Sequence, residues 1–163
     1  MTDEKNKGLR DGEYVALAEF RYQLRKFSRH MEGQVRKVGV NPQQYQVILA
    51  LRGLPPEQAP TVGRLAERMQ LNHNSMVELV DRCEDGGLLR RMRSRADRRQ
   101  VTLTITGQGE ALLRKLGRAA REELLSSGPA LITAVQRLIK GAKPIQGSRH
   151  KERRKGVSRK AGR

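Results

Sequence analysis

The chain has 163 residues, 36% of them hydrophobic and only 3% aromatic, and its 34 Lys+Arg against 17 Asp+Glu leave a formal charge of +17. That length suits one domain, whose core must be built from Leu, Ile, Val, Ala and Met. One cysteine excludes an intrachain disulfide framework, the polar first fourteen residues hold no secretory h-region, and the longest apolar run, Val47-Ile48-Leu49-Ala50-Leu51, is far too short for a membrane span.

Residues 1–12 are a polar lead. Leu17, Phe20, Leu24, Phe27 and Met31 then recur at spacings of three and four, which predicts an amphipathic helix over about residues 13–38. Asn41-Pro42 supplies an N-cap and a proline at the first helical position, opening a second helix through Tyr45, Ile48 and Leu49 to about Arg52. The run Pro55-Pro56-Glu57-Gln58-Ala59-Pro60 cannot continue a helix and reads as a rigid connector. Thr61 caps a short helix carrying Val62, Leu65, Ala66 and Met69. A tight polar joint, Gln70-Leu71-Asn72-His73, leads into another helix over about residues 74–84, with Met76, Leu79, Val80 and Cys83 on one face. Gly86-Gly87 ends it, because glycine accepts the left-handed conformation at helix ends. Residues 88–93 and 100–105 read as two short strands, the second rich in β-branched side chains, with residues 94–99 as the loop between them. Thr106 caps a long helix with Ala111, Leu112, Leu116, Ala119, Ala120 and Leu124 on one side. Ser126-Ser127-Gly128-Pro129 predicts a break before a last helix carrying Leu131, Ile132, Val135, Leu138 and Ile139.

The positive charge falls into two regions. Residues 141–163 hold nine Lys/Arg against one acid, Glu152, in a segment with almost no apolar content, so this tail reads as disordered. Residues 88–99 alone hold six arginines, Arg90, Arg91, Arg93, Arg95, Arg98 and Arg99, against Asp97. Two short helices joined by a tight turn and followed by a basic hairpin make a winged helix-turn-helix over residues 61–105. The expected fold is mainly α with a small β-hairpin, flanked by long helices over 13–38 and 106–140 that serve dimerisation.

With Met76, Leu79, Val80 and Cys83 turned inward, Asn74, Glu78 and Asp81 face outward, flanked by Ser75 and Arg82 on one side and Val77 on the other. A polar outer face is ordinary for a surface helix. The arginine hairpin directly after it points to DNA, since guanidinium groups pair with phosphate and fit narrow minor grooves. The expected DNA contacts are Thr61, His73, Asn74, Ser75, Glu78, Arg82, Arg95, Arg98 and Arg99. Asn74 pairs with adenine or caps the helix, a task open to Asn72 as well. His73 suits a phosphate contact or the turn rather than a metal, since no second ligand lies at helical spacing. Glu78 accepts from a cytosine amino group or repels phosphate. Asp97 braces the wing loop, and Asp81 orients a wing arginine. Arg90, Arg91 and Arg93 alternate on a strand, so they cannot all face the DNA. Cys83 acts as a small buried hydrophobe rather than a redox sensor.

Leu65-Ala66-Glu67-Arg68-Met69, the run from Val80 to Leu88, Asp97-Arg98-Arg99 and the run from Leu103 to Gly109 resemble the multiple-antibiotic-resistance regulator (MarR) family over about residues 13–140. The resemblance implies a homodimer with interlocking terminal helices, a pseudo-palindromic double-stranded DNA operator, repression, and release by a small aromatic effector or by oxidation. It ranks Arg99 first among the wing residues. It also marks Glu78 as a departure, since basic or neutral residues are commoner at that place in the family. His30 and Tyr45 are the candidates for an effector cavity, or else core-edge packing residues. No phosphate loop, His-Glu-x-x-His or triad among the three histidines is present, so no enzyme, catalytic residue, metal or cofactor is expected. The reading is a cytoplasmic, nucleoid-associated transcription regulator without a membrane partner. The competing reading is a non-specific architectural nucleic-acid binder dominated by the tail, which a steep salt slope with little sequence preference would mark.

Overall fold

The computed structural model describes residues 9–93 and 101–141. Their elements are helices α1 (Asp11–Lys37), α2 (Pro42–Arg52), α3 (Val62–Met69) and α4 (His73–Asp85), strands β1 (Leu89–Arg93) and β2 (Val101–Ile105), and helix α5 (Gly107–Gly141). The strands form one antiparallel pair, with Leu89 opposite Ile105 and Arg93 opposite Val101. This is a mainly helical winged helix-turn-helix, as the order of periodic segments predicts.

Local chemistry accounts for the helix starts. The Asn41 side chain accepts from the Gln43 amide at 2.8 Å while Gln44 Oε1 accepts from the Asn41 amide at 3.2 Å, with Pro42 opening the helix. Thr61 Oγ1 accepts from the Arg64 amide at the head of α3. The α3–α4 turn is tight because Gln70 takes the left-handed conformation, φ 53°. For a non-glycine residue that conformation costs on the order of 1 kcal/mol.

One core joins α2, α3, α4, the hairpin roots, the last turns of α1 and the first turns of α5. Ile48, Leu65, Met76, Leu89, Leu116, Val35, Val47, Val80 and Cys83 are its most deeply buried members. Apolar burial at roughly 25 cal/mol per Å² is what holds this lobe together. Beyond it, α1 and α5 continue side by side and antiparallel, His30 meeting Glu123 and Ala16 lying by Pro129 and Ala134. Along α1 the seam fades away from the lobe: Met31 is buried, Phe20, Leu24 and Phe27 are half-buried, and Leu17 is exposed.

The expected break at residues 126–129 is overturned, since α5 runs unbroken through Pro129. Proline removes the backbone donor that would meet the Leu125 carbonyl, and two hydroxyls bond back to other carbonyls of the same stretch. Ser127 Oγ donates to the Glu123 carbonyl at 2.9 Å and Thr133 Oγ1 to the Pro129 carbonyl at 2.9 Å. Along the same stretch α1 lies against α5, burying Ala16 and Ala134. In the first part of α5 the inward positions are Leu113 and Leu116, while Ala111 and Leu124 are exposed. Among the described residues no helix is long and apolar enough to cross a membrane.

Candidate nucleic-acid interface

Helix α4 buries Met76, Leu79, Val80 and Cys83, which turns His73, Asn74, Glu78, Asp81 and Arg82 to solvent with Ser75 and Val77 half-exposed. The cap is Asn72, whose Oδ1 accepts from the Ser75 amide at 2.8 Å. Asn74 is thereby released from capping, and His73 is the first residue of the helix rather than part of the turn. Thr61 uses its hydroxyl as the α3 cap and stays half-exposed. Arg82 Nε donates to the backbone carbonyl of Glu78 at 3.3 Å, so it does not pair with that residue's carboxylate.

The wing is held to α4 by Arg91. Its guanidinium reaches Glu84 Oε2 at 2.5 Å and Asp81 Oδ1 at 2.6 Å, while its backbone N–H donates to Glu84 Oε1 at 2.8 Å. The Arg91 amide, and next its guanidinium, keep the Glu84 carboxyl below its ordinary value. Partial burial works against the Arg91 charge, but bonds to Glu84 and Asp81 outweigh it and raise its pKa. Arg90 lies on the other side of the strand, and both it and Arg93, at the far end of the strand, are exposed.

The hairpin root is fixed on two further sides. The Leu103 amide donates to the Pro60 carbonyl at 2.7 Å, tying the wing to the connector before α3. Thr106 Oγ1 donates to the Gly87 carbonyl at 2.6 Å and accepts from the Gly109 amide at 3.1 Å. Behind α4, Gln44 Nε2 donates to the Arg82 carbonyl at 2.6 Å, linking the first turn of α2 to the last turn of α4. Arg95, Asp97, Arg98 and Arg99 lie outside the described residues.

The structure brings Asn74, Ser75, Glu78, Asp81 and Arg82 onto one outward surface beside the wing. Arg91, Glu84 and Gln44 are residues that sequence reasoning left without a role. Strand alternation separates Arg91 from Arg90, and the three-residue spacing of Asp81 and Glu84 sets two carboxylates on one side of α4. Together those patterns would have identified the Arg91 contact.

A cavity of about 260 Å³ lies between α1, α2 and α5, with Phe27, Met31, Val35, Pro42, Tyr45 and Leu49 in its wall. Desolvation raises the pKa of the Tyr45 hydroxyl. His30 lies outside this wall, with its Nδ1 3.5 Å from Glu123 Oε2. Burial pushes the Cys83 thiol up to about 12, despite the opposing charge of Arg82.

Residues 38–100 match the MarR family model. The HTH-type transcriptional regulator PecS of Dickeya dadantii is 25% identical over 88 residues, covering 54% of this chain and 53% of PecS. The HTH-type transcriptional repressor MdtR of Bacillus subtilis is 29% identical over 87 residues, 53% of this chain and 54% of MdtR. The chain thus spans about half the length of the curated relatives it matches. Among solved structures, AbsC, a MarR family transcriptional regulator from Streptomyces coelicolor, superposes with TM-score 0.65 at 20% identity, covering 86% of this chain and 95% of AbsC. A mutant MarR from E. coli complexed with operator DNA superposes with TM-score 0.59 at 16% identity, covering 76% and 90%. These neighbours share the fold, and residues 38–100 are similar in sequence to the winged-helix segment of the MarR family.

Proposed function

We propose that the protein is a homodimeric, sequence-specific DNA-binding transcription regulator, a repressor rather than an enzyme, with α4 in the major groove and the arginine wing in the adjacent minor groove. The observation that carries this reading is the outward face of α4. It is polar, open to solvent, and fixed through Arg91 to a hairpin bearing six arginines. A helix presented rigidly beside a cationic wing suits two adjacent grooves of one duplex. On this surface Asn74 and Ser75 reach base edges, while Thr61, His73, Arg82, Arg95, Arg98 and Arg99 contact backbone or minor groove. The kinship to PecS and MdtR supports regulation of transcription, and MdtR, named as a repressor, supports the sign.

Dimerisation is supported by the apolar side chains that α1 and α5 leave uncovered. Leu125, Ile132 and Ile139 are 70%, 57% and 66% exposed, with Tyr14, Val15 and Tyr22 exposed on α1. Leu125, Ile132 and Ile139 recur every seven residues and so share one face of α5, an exposed apolar stripe that suits an interface, and a second copy would give the two-fold symmetry that a pseudo-palindromic operator demands. The cavity beside Tyr45, apolar with Ser28, Glu32 and Gln46 at its edge, suits a small aromatic effector. Work on chromosomal DNA would place the protein in the cytoplasm, on the nucleoid.

Selection from random duplex DNA at near-physiological salt, with the full chain and with residues 1–140, tests this function. Both proteins should enrich a pseudo-palindrome with half-sites about one helical turn apart. Binding without an enriched motif that vanishes on removing residues 141–163, whose net charge is +8, would instead support the architectural reading.

A further inference from the structure

We propose that Glu78 is a specificity-determining residue of the recognition helix, reading a cytosine in each half-site through its exocyclic amino group; this rests on α4 being the major-groove element. Helix α4 carries four carboxylates, Glu78, Asp81, Glu84 and Asp85. Asp81 and Glu84 are both paired to Arg91, and Asp85 lies in the last turn. Glu78 stands in the middle of the outward face, one turn beyond Asn74, and is exposed. Among the described residues its carboxylate meets no cation and no hydrogen-bond donor, and Arg82, four positions on, donates to its backbone carbonyl instead.

An unneutralised carboxylate on a surface that approaches a polyanion opposes binding to every sequence unless the groove offers a donor beneath it. Guanine presents two acceptors there, and thymine an acceptor and a methyl group. Adenine presents an amine beside an acceptor, whereas cytosine presents its amine with no acceptor alongside. The carboxylate therefore favours cytosine, tolerates adenine less well and rejects the other two, so that attraction to one base and repulsion by the rest act together. Asn74 and Glu78 lie about 5–6 Å apart along the helix. Stacked base pairs are about 3.4 Å apart, so an adenine under Asn74 and a cytosine under Glu78 should fall within one or two base steps of each other.

The test is selection from randomised duplexes at one fixed salt concentration with full-length wild type, Glu78→Ala and Glu78→Gln, followed by measured affinities for the four bases at each enriched position. Thermal melting followed by circular dichroism confirms that the exposed-site variants are folded. Wild type should enrich a motif with one nearly invariant cytosine per half-site. Glu78→Ala should keep the rest of the motif and lose about tenfold discrimination at that position. Glu78→Gln should shift that position toward adenine, which a side-chain amide pairs bidentately. Replacing that cytosine by N4-methylcytosine, which keeps the base pair but blocks the outward N–H, should cost wild type affinity and leave Glu78→Ala unaffected. A motif whose cytosine preference survives Glu78→Ala, or a variant that merely binds all duplexes more tightly by one common factor, overturns the inference while leaving sequence-specific binding intact. A wild type that enriches no motif overturns both, and the absence of any motif identifies that case.

Discussion

A methyl group on Gly109 would sit 2.2 Å from the Leu88 carbonyl oxygen and 2.7 Å from Ile105 Cγ2, so the start of α5 packs directly on the hairpin root. Gly109→Ala must push backbone apart, and it should lower stability by about 2 kcal/mol in urea denaturation, within the usual range for overpacking. Gly117, eight residues on, has open space around it. Gly117→Ala should have the opposite sign, stabilising by about 0.5–1 kcal/mol through helix propensity. The contrast explains part of what was legible in the sequence. The Thr106-to-Gly109 run is recognisable as a motif, but only the proximity of Leu88 shows why glycine is needed at one place and not the other. Cys83 was readable as core from its spacing, and its burial supplies the chemistry: with its pKa at about 12 the thiol stays protonated at neutral pH. A disulfide reagent should therefore label native protein no faster than the protein unfolds, and label urea-unfolded protein at once.

Between elements, the contact that matters most is the one joining β1 to α4. The pKa of Glu84 is depressed in the folded chain, so its contribution to stability is complete above the unfolded value of about 4.3 and is lost as pH falls through the lower folded value. Glu84→Gln should be less stable than wild type at pH 7, by about 1 kcal/mol given the partly exposed pair. The two melting temperatures should converge as pH drops below about 4. A difference that persists unchanged at low pH would show that the loss comes from packing instead. Arg91→Ala should loosen the wing and leave Asp81 and Glu84 unpaired beside the surface proposed to face DNA, weakening the proposed DNA binding more than it lowers the melting temperature. From sequence, Asp81 was expected to orient a wing arginine, but the choice of Arg91 over five others depends on which face of the strand meets the helix. Pro129 misled for a related reason: local chemistry argues for a break there, and the packing of α1 alongside α5 is a tertiary contact that local sequence does not show.

For the whole molecule, the distribution of burial divides the chain into a packed lobe and a two-helix arm. Periodicity alone located both, because the same heptad-like spacing serves a seam whether its partner is in the same chain or in another. It could not say which residues stay uncovered. Leu125 and Ile132 do so in the arm, and Leu125→Glu with Ile132→Glu should convert the proposed dimer of 18.4 kDa subunits to monomers in sedimentation equilibrium while preserving helical content. The same double variant should bind a single half-site about as well as wild type and lose the gain that comes from engaging two half-sites at once.

Among the described residues, the pairing of α1 with α5 joins the first element to the last. Closing so long a loop is entropically slow and is rewarded only after the intervening lobe has formed. On the ribosome, α1 must therefore wait with its apolar seam uncovered until α5 has left the exit tunnel. Newly made chains are then most vulnerable to proteases along α1, and the arm takes its shape only after α5 has been made.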